Sequence, residues 1–356
     1  MHRRFGFVSA LLLLGAASVP AGDRIAVFEF FVRPGCGNCE TASETVTELQ
    51  RELAGRAVLL TYHVDFFGSP SGGRGKRFWV SEPDAAYLPL AMVGSGWRTS
   101  SGVVDFPTEY RGIIEDELAR PPRAAVSAYW RRSGASMRVY LEIENTGDDY
   151  LEVGQEAAAW VIPYMSPPPQ AVGLTDTWVQ AVGEWQLPYD LGPGESVTGE
   201  AETPALEDVQ WNRMQAIVLV EDRATAGGVY DMAQATLARP AGLTASPDTV
   251  VVGRAGVGAE VELEGPHVLS WVATADVPWV EVTPSSGTRP TTVTVTVHDE
   301  LRPQSETEGT VSFAATGDGM DFSTTVSVQV GSKFRRAGRR MSPVQTKGSS
   351  RSQFPR

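Results

Sequence analysis

The sequence predicts an α/β domain followed by two all-β, immunoglobulin-like sandwiches, and three observations predict it. A strand, helix, strand pattern fills residues 25–64, and period-two alternation of apolar and polar residues begins after Pro122. The turn-rich stretch Arg239-Pro240-Ala241-Gly242 then divides that alternation into two blocks. With 356 residues, 42% of them apolar and 21% charged, the chain has room for two or three domains, and most of it is neither disordered nor a coiled coil. The expected units are 1–21, 23–121, 123–239, 243–331 and a basic tail, 333–356.

Residues 1–21 have the order of a secretory signal peptide: His2-Arg3-Arg4, an apolar run to Leu14, then Ser18-Val19-Pro20-Ala21. The run is far short of the roughly 20 residues that span a bilayer, and no other stretch is long and apolar enough. Export to a periplasm or the exterior is therefore expected, with no transmembrane segment once the leader is removed.

The first strand is Ile25 to Val32, an almost unbroken apolar run of the kind buried on both faces. Pro34-Gly35 ends it. A helix follows from about Gly37 to Ala54, because Ala42, Val46, Leu49 and Leu53 recur at three- and four-residue steps. Ala57 to Val64 is a second buried strand. Residues 68–77 form a glycine-rich basic loop, Leu90 to Val93 and Val103 to Phe106 read as short strands, and Thr108 to Arg120 as a helix bracketed by prolines. Beyond Pro122 seven short strands are expected up to Leu237, and six more between Val257 and Val330. The last 24 residues lack apolar periodicity and are read as disordered.

Charge narrows the partners. The formal net charge is −13, but the tail holds eight Lys or Arg and no acid, so residues 23–332 carry 20 basic against 43 acidic groups, or −23. A body this acidic repels phosphate backbones, which excludes nucleic acid as its partner.

Chemistry is concentrated in the chain's two cysteines, Cys36-Gly37-Asn38-Cys39. A loop this short stabilises a fold by only about 2 kcal/mol, so redox chemistry explains the pair better than stapling does. Cys36 falls where a strand passes into a helix, and unpaired N–H groups and the helix dipole favour a thiolate there, with pKa values of about 3.5–7.5 in such settings. Cys36 would attack a partner's disulfide and Cys39 would resolve the mixed disulfide. The direction of electron flow is not encoded in these residues.

These features resemble the thioredoxin superfamily over residues 25–120, and Phe28-Glu29-Phe30-Phe31, Gly35-Cys36 and Tyr62-His63-Val64-Asp65-Phe66-Phe67 resemble an uncharacterised secreted bacterial thioredoxin-like family. The resemblance implies a thioredoxin-like fold and an exported thiol–disulfide oxidoreductase that acts on protein thiols and disulfides, with no cofactor beyond the redox-active disulfide. Pro89, within Tyr87-Leu88-Pro89-Leu90, matches the cis-proline that faces the cysteine pair in that fold. The buried acid of thioredoxins lies six residues before the first Cys, where this chain has Phe30. Glu29, seven before, would serve as proton acceptor for Cys39 only if the strand bulges, since alternation sends it to the other face.

Other readings remain open. The two Cys supply only half of a structural zinc site, and Cys36, Cys39 and His63 could hold copper or zinc as a Cys2His set completed by a carboxylate or water. The α/β domain could also be a scaffold in a binding or structural protein. Gly68 to Arg77 fails the phosphate-loop pattern, with Pro70 and Arg77 at required positions. Trp271, Trp279 and Pro284-Ser285-Ser286-Gly287 resemble the bacterial immunoglobulin-like BACON module, which implies possible carbohydrate or cell-surface contact through the last sandwich. The same tryptophans also suit a sandwich core.

Overall fold

A computed structural model describes residues 23–33, 35–64, 74, 87–153, 156–165, 178–222, 230–252, 258–298, 300–302 and 307–330. The expected leader, the basic tail and, Arg74 apart, the basic loop lie outside the described residues.

The first unit comprises β1 (Ala26–Val32), α1 (Gly37–Glu52), β2 (Ala57–His63), β3 (Leu90–Val93), β4 (Arg98–Ser101) and α2 (Phe106–Leu118). β1 runs parallel to β2 and antiparallel to β3, which pairs with β4. The strand expected over 103–106 is absent and β4 lies earlier. Asp105 instead caps α2, accepting from the Thr108 hydroxyl at 2.9 Å and the Glu109 N–H at 2.9 Å, with Pro107 in the first turn, where its missing N–H costs nothing.

The second unit comprises β5 (Ala124–Ser133), β6 (Ser136–Asn145), β7 (Ala158–Met165), β8 (Trp178–Val179), β9 (Gly183–Gln186), β10 (Ser196–Glu202), β11 (Met214–Asp222) and β12 (Asp231–Pro240). Its strands join those of the first unit in a single twelve-stranded sheet of order β10-β6-β5-β12-β11-β7-β8-β2-β1-β3-β4, with β9 beside β7. The bridge is Thr61 of β2 against Trp178 of β8.

This sheet overturns the expectation of an α/β thioredoxin-like domain followed by two separate sandwiches. Among the described residues the chain is predominantly β, 53% strand with two α-helices. The physical reason lies in β1, which is buried along its whole length. Phe28, Phe30 and Val32 pack under α1 and α2 with Val46, Leu49 and Ile114. Val27 and Phe31 on the opposite face pack with Leu60, Tyr62 and Leu90, and this face is closed by Ile162 and Tyr164 of β7 and Ile217 and Leu219 of β11. Strands supply the second cover that a separate α/β domain would take from helices. β11 is itself buried on both faces, since Ala216, Val218 and Val220 enter a different core with β5, β6 and β7.

The third unit comprises β13 (Thr244–Ser246), β14 (Thr249–Val252), β15 (Ala259–Glu264), β16 (Ser270–Ala275), β17 (Val280–Thr283), β18 (Ser286–Gly287), β19 (Thr292–Val297), β20 (Glu308–Gly317) and β21 (Met320–Val330). They form a four-stranded sheet, β13-β15-β19-β17, and a five-stranded sheet, β14-β21-β20-β16-β18, around one apolar core. Trp271 and Trp279 belong to that core at 1% and 0% exposure, and the Trp271 indole N–H donates to the Arg289 carbonyl at 2.7 Å. Neither ring offers a face to a sugar.

The second and third units share a boundary that is apolar at its centre and ionic at its rim. Tyr129 and Tyr140 are buried in the third unit's core cluster. Arg239 donates to the Tyr129 hydroxyl at 2.6 Å and Glu264 at 2.5 Å, and Arg289 donates to Glu142 at 2.8 Å. Asp318, in the turn between β20 and β21, accepts from the Tyr140 hydroxyl and from Arg131, 2.6 Å away. Those hydrogen bonds hold the Asp318 carboxyl at a pKa of about 2, below its ordinary 3.8. A carboxyl depressed in the folded state stabilises the fold above its ordinary value and loses that contribution as pH falls through the folded one. Thermal unfolding followed from pH 5 to pH 2 should show this contribution disappearing between about pH 4 and pH 2, and Asp318→Asn should remove that part of the pH dependence while lowering the melting temperature at neutral pH.

Candidate functional site

β1 ends at Val32 and the chain turns through Gly35, whose φ of +73° suits a residue without Cβ, into α1. Cys36 is the N-cap of α1 and Cys39 lies one turn inside. The two are joined as a disulfide with Cα atoms 5.2 Å apart. The Cys36 carbonyl accepts from the N–H groups of Cys39 at 2.9 Å and Glu40 at 3.2 Å, and Cys36 Sγ accepts from the Cys39 N–H at 3.2 Å. The two sulfurs differ sharply in access. Cys36 is half-buried, whereas Cys39 is 3% exposed and packs with Phe30, Ala42 and Val46.

Pro89 lies at the same end of the sheet. Phe31 pairs with Leu90, so the residues before Leu90 run alongside the exit of β1, and Leu88 packs on the same core as Cys36. The Leu88–Pro89 peptide is cis. Tyr87 is fixed by its backbone, its N–H donating to Ser101 Oγ at 2.6 Å and its carbonyl accepting from the Gly102 N–H at 3.2 Å, yet it is 64% exposed.

Glu29 is not brought to the cysteines. The register of β1 on β2 runs unbroken from Ala26 to Val32, so no bulge turns Glu29 toward α1, and alternation places it on the opposite face from Phe28 and Phe30. There its carboxylate, 0% exposed, accepts from the Tyr62 hydroxyl at 2.8 Å and from Arg74 Nε at 2.5 Å and Nη2 at 2.9 Å. Arg74 Nη2 also reaches Glu221 at 3.3 Å and Ser95 Oγ at 3.2 Å, and the guanidinium lies over the Trp160 ring at 5.3 Å. Burial opposes the Arg74 charge, but Glu29 and Glu221 more than offset it, and its pKa is raised. Burial, then the Glu29 charge, push the Tyr62 phenol up as well. Glu29 therefore belongs to an ionic group between the first and second units, and its surroundings do not support proton transfer to Cys39.

Sequence reasoning missed Arg74, placed in a surface loop, and Glu221. Glu221 ends the unbroken apolar run Ala216 to Val220, which signals a strand covered on both sides. No local pattern singles out Arg74.

His63 ends β2 beside Val32, and its ring stacks on Trp178 of β8 with centroids 3.7 Å apart. With both thiols in the disulfide and this ring against an indole, Cys36, Cys39 and His63 do not form a metal centre. Among the described residues no group of three or more His, Cys, Asp or Glu could hold a metal ion.

No family model and no curated protein matches the chain. Among solved structures it is similar to HBP35 of Porphyromonas gingivalis, at 13% identity over 87% of this chain and 99% of that one, with a TM-score of 0.44. It is also similar to protein AGR_C_4864 from Agrobacterium tumefaciens, at 20% identity over 62% of this chain and 96% of that one, with a TM-score of 0.38. TM-scores this low fix neither the fold nor the function of this chain. The expected membership of the thioredoxin superfamily, and the description as a thioredoxin-like oxidoreductase that followed from it, are thus corrected. No such family model matches, and the described residues are mostly β. The BACON resemblance has no matching family model either.

Replacing Arg74 by Met would leave the Glu29 and Glu221 carboxylates buried without their shared cation. Denaturant unfolding of Arg74→Met should show a loss of about 3–5 kcal/mol, the range for removing one partner of a buried ion pair.

Proposed function

We propose that this protein performs thiol–disulfide exchange on exported polypeptides through Cys36 and Cys39, a reading that rests on the site alone and not on kinship. The observation that carries it is the asymmetry of the pair: Cys36 is half-exposed at a helix N-terminus, and Cys39 is buried one turn within. A disulfide meant only to staple has no use for an accessible sulfur at the positive end of a helix dipole.

In the oxidised form a partner thiolate attacks Cys36 Sγ, the Cys36–Cys39 bond breaks, and Cys39 leaves as a thiolate that takes up a proton. The partner's second thiolate then attacks its own sulfur in the mixed disulfide and expels Cys36. The partner gains a disulfide, and this chain gains the two electrons as a dithiol. The reverse sequence begins with Cys36 thiolate attacking a partner disulfide and ends with Cys39 displacing the partner. Which way it runs depends on the two reduction potentials. In the reduced state the Cys39 N–H that now points at Cys36 Sγ and the start of α1 favour the Cys36 thiolate, as helix N-termini do in general. The reaction needs no cofactor beyond the pair itself. The leader-like residues 1–21 support an exported location, where such partners form disulfides.

Trapping tests this. In an extract of exported proteins Cys39→Ser should accumulate mixed disulfides on Cys36 that reductant releases, Cys36→Ser should accumulate none, and the alkylation rate of reduced wild-type Cys36 should titrate below about pH 7.5. No adducts on Cys39→Ser, together with alkylation titrating near 8.5, would mean a structural disulfide in a binding protein.

A further inference from the structure

The order β8-β2-β1-β3 lines up four strand ends along the edge of the sheet from which Cys36 emerges. Register fixes which side chains share a face there. Phe30 pairs with Thr61 and Val32 with His63, and Thr61 pairs with Trp178. Phe30 and Val32 point toward α1, so His63 and Trp178 lie on that same face. In the other direction β3 begins at Leu90, and Tyr87, which precedes it, is held by Ser101 and Gly102 at the end of β4. The His63–Trp178 stack and Tyr87 therefore lie on opposite sides of β1 at the end of the sheet where α1 begins. Trp178 is 38% exposed and Tyr87 is 64% exposed. Val103, next to the Gly102 that holds the Tyr87 carbonyl, is 70% exposed.

Two exposed aromatic rings thus lie on either side of the strand that leads into Cys36. The second unit provides one of them through β8, a two-residue strand that pairs with β2 at a single position. We infer that Trp178, stacked on His63, and Tyr87 form an aromatic rim that binds a polypeptide on both sides of the cystine it presents to Cys36. Strands lie about 4.8 Å apart, so Trp178 stands two strands and Tyr87 one strand from β1, a span of about 14 Å. An extended chain covers that distance in about four residues. The favoured substrate is an extended segment with large apolar side chains about four residues apart and its cysteine between them. Trp178 is a specificity-determining residue in this scheme, and the inference rests on the exchange reaction proposed above.

The test compares three linear disulfides: bis(2-hydroxyethyl) disulfide, the disulfide-linked dimer of a nine-residue peptide with Leu on both sides of its Cys at that spacing, and the same dimer with Ser in place of Leu. Reduced wild type should reduce the Leu peptide with a kcat/KM about tenfold above that of the Ser peptide. Trp178→Ala should lower kcat/KM for the Leu peptide about tenfold more than for bis(2-hydroxyethyl) disulfide, and Trp178→Tyr should restore most of the difference. If wild type reduces bis(2-hydroxyethyl) disulfide but prefers neither peptide, or if Trp178→Ala slows all three disulfides alike, the rim is overturned and exchange stands. A wild type that reduces none of the three and, in its oxidised form, oxidises neither peptide thiol overturns exchange and the rim together.

Discussion

Burial of β1 on both faces is the constraint from which the architecture follows. A sheet only four strands wide, β2-β1-β3-β4, has two apolar faces to remove from water, and α1 and α2 cover one. The other carries Val27, Phe31, Leu60, Tyr62 and Leu90, each fully buried. A buried side chain of this size contributes about 1.5–3 kcal/mol relative to an exposed one. Among the described residues the face is closed by β7, β11 and β12, which are strands of the same sheet carried round through β8. The unit that bears the cysteines is consequently not separable from the one that follows it.

Two ionic groups lie across this junction, and their energetics differ from those of the apolar face. Glu29, Tyr62, Arg74 and Glu221 form one. In the other, Arg24 donates to Glu117 at 2.8 Å and to the Met232 carbonyl at 2.7 Å, while Arg120 links Glu117, 3.0 Å away, to Asp231, 2.5 Å away. A buried pair loses about as much in desolvation as it regains in attraction, so neither group drives docking. Their contribution is to orientation, because any other placement of β11 and β12 on β1 strands a charge out of water. Apolar burial supplies the stability of the junction, and the ions select one arrangement of it.

For the disulfide the consequence is steric and electrostatic at once. α1 is held by Phe28, Phe30 and Val32 beneath it, which sinks Cys39 into the core and leaves Cys36 at the rim. The N-cap geometry directs the Cys39 N–H at Cys36 Sγ, so a donor is in place before any charge develops there. The same wrapping of the sheet that covers Phe31 also carries Trp178 to His63, and so places an aromatic ring of the second unit on the last residue of β2.

Local sequence was enough for what depends on near neighbours. The three- and four-residue spacing of Ala42, Val46 and Leu49 marks α1, almost unbroken apolar runs mark β1 and β2, and the passage from strand to helix places Cys36 at the start of α1. Alternation likewise implied that Glu29 points away from Cys39. Tertiary structure alone decided what covers the far face of β1, because an apolar run records that a strand is buried but not whether helices or strands bury it. It alone brought Arg74 to Glu29 and Glu221, 45 and 147 residues apart along the chain, and Trp178 to His63. Such contacts are fixed by the shape left after the apolar faces have closed, and no pattern of adjacent residues encodes that shape.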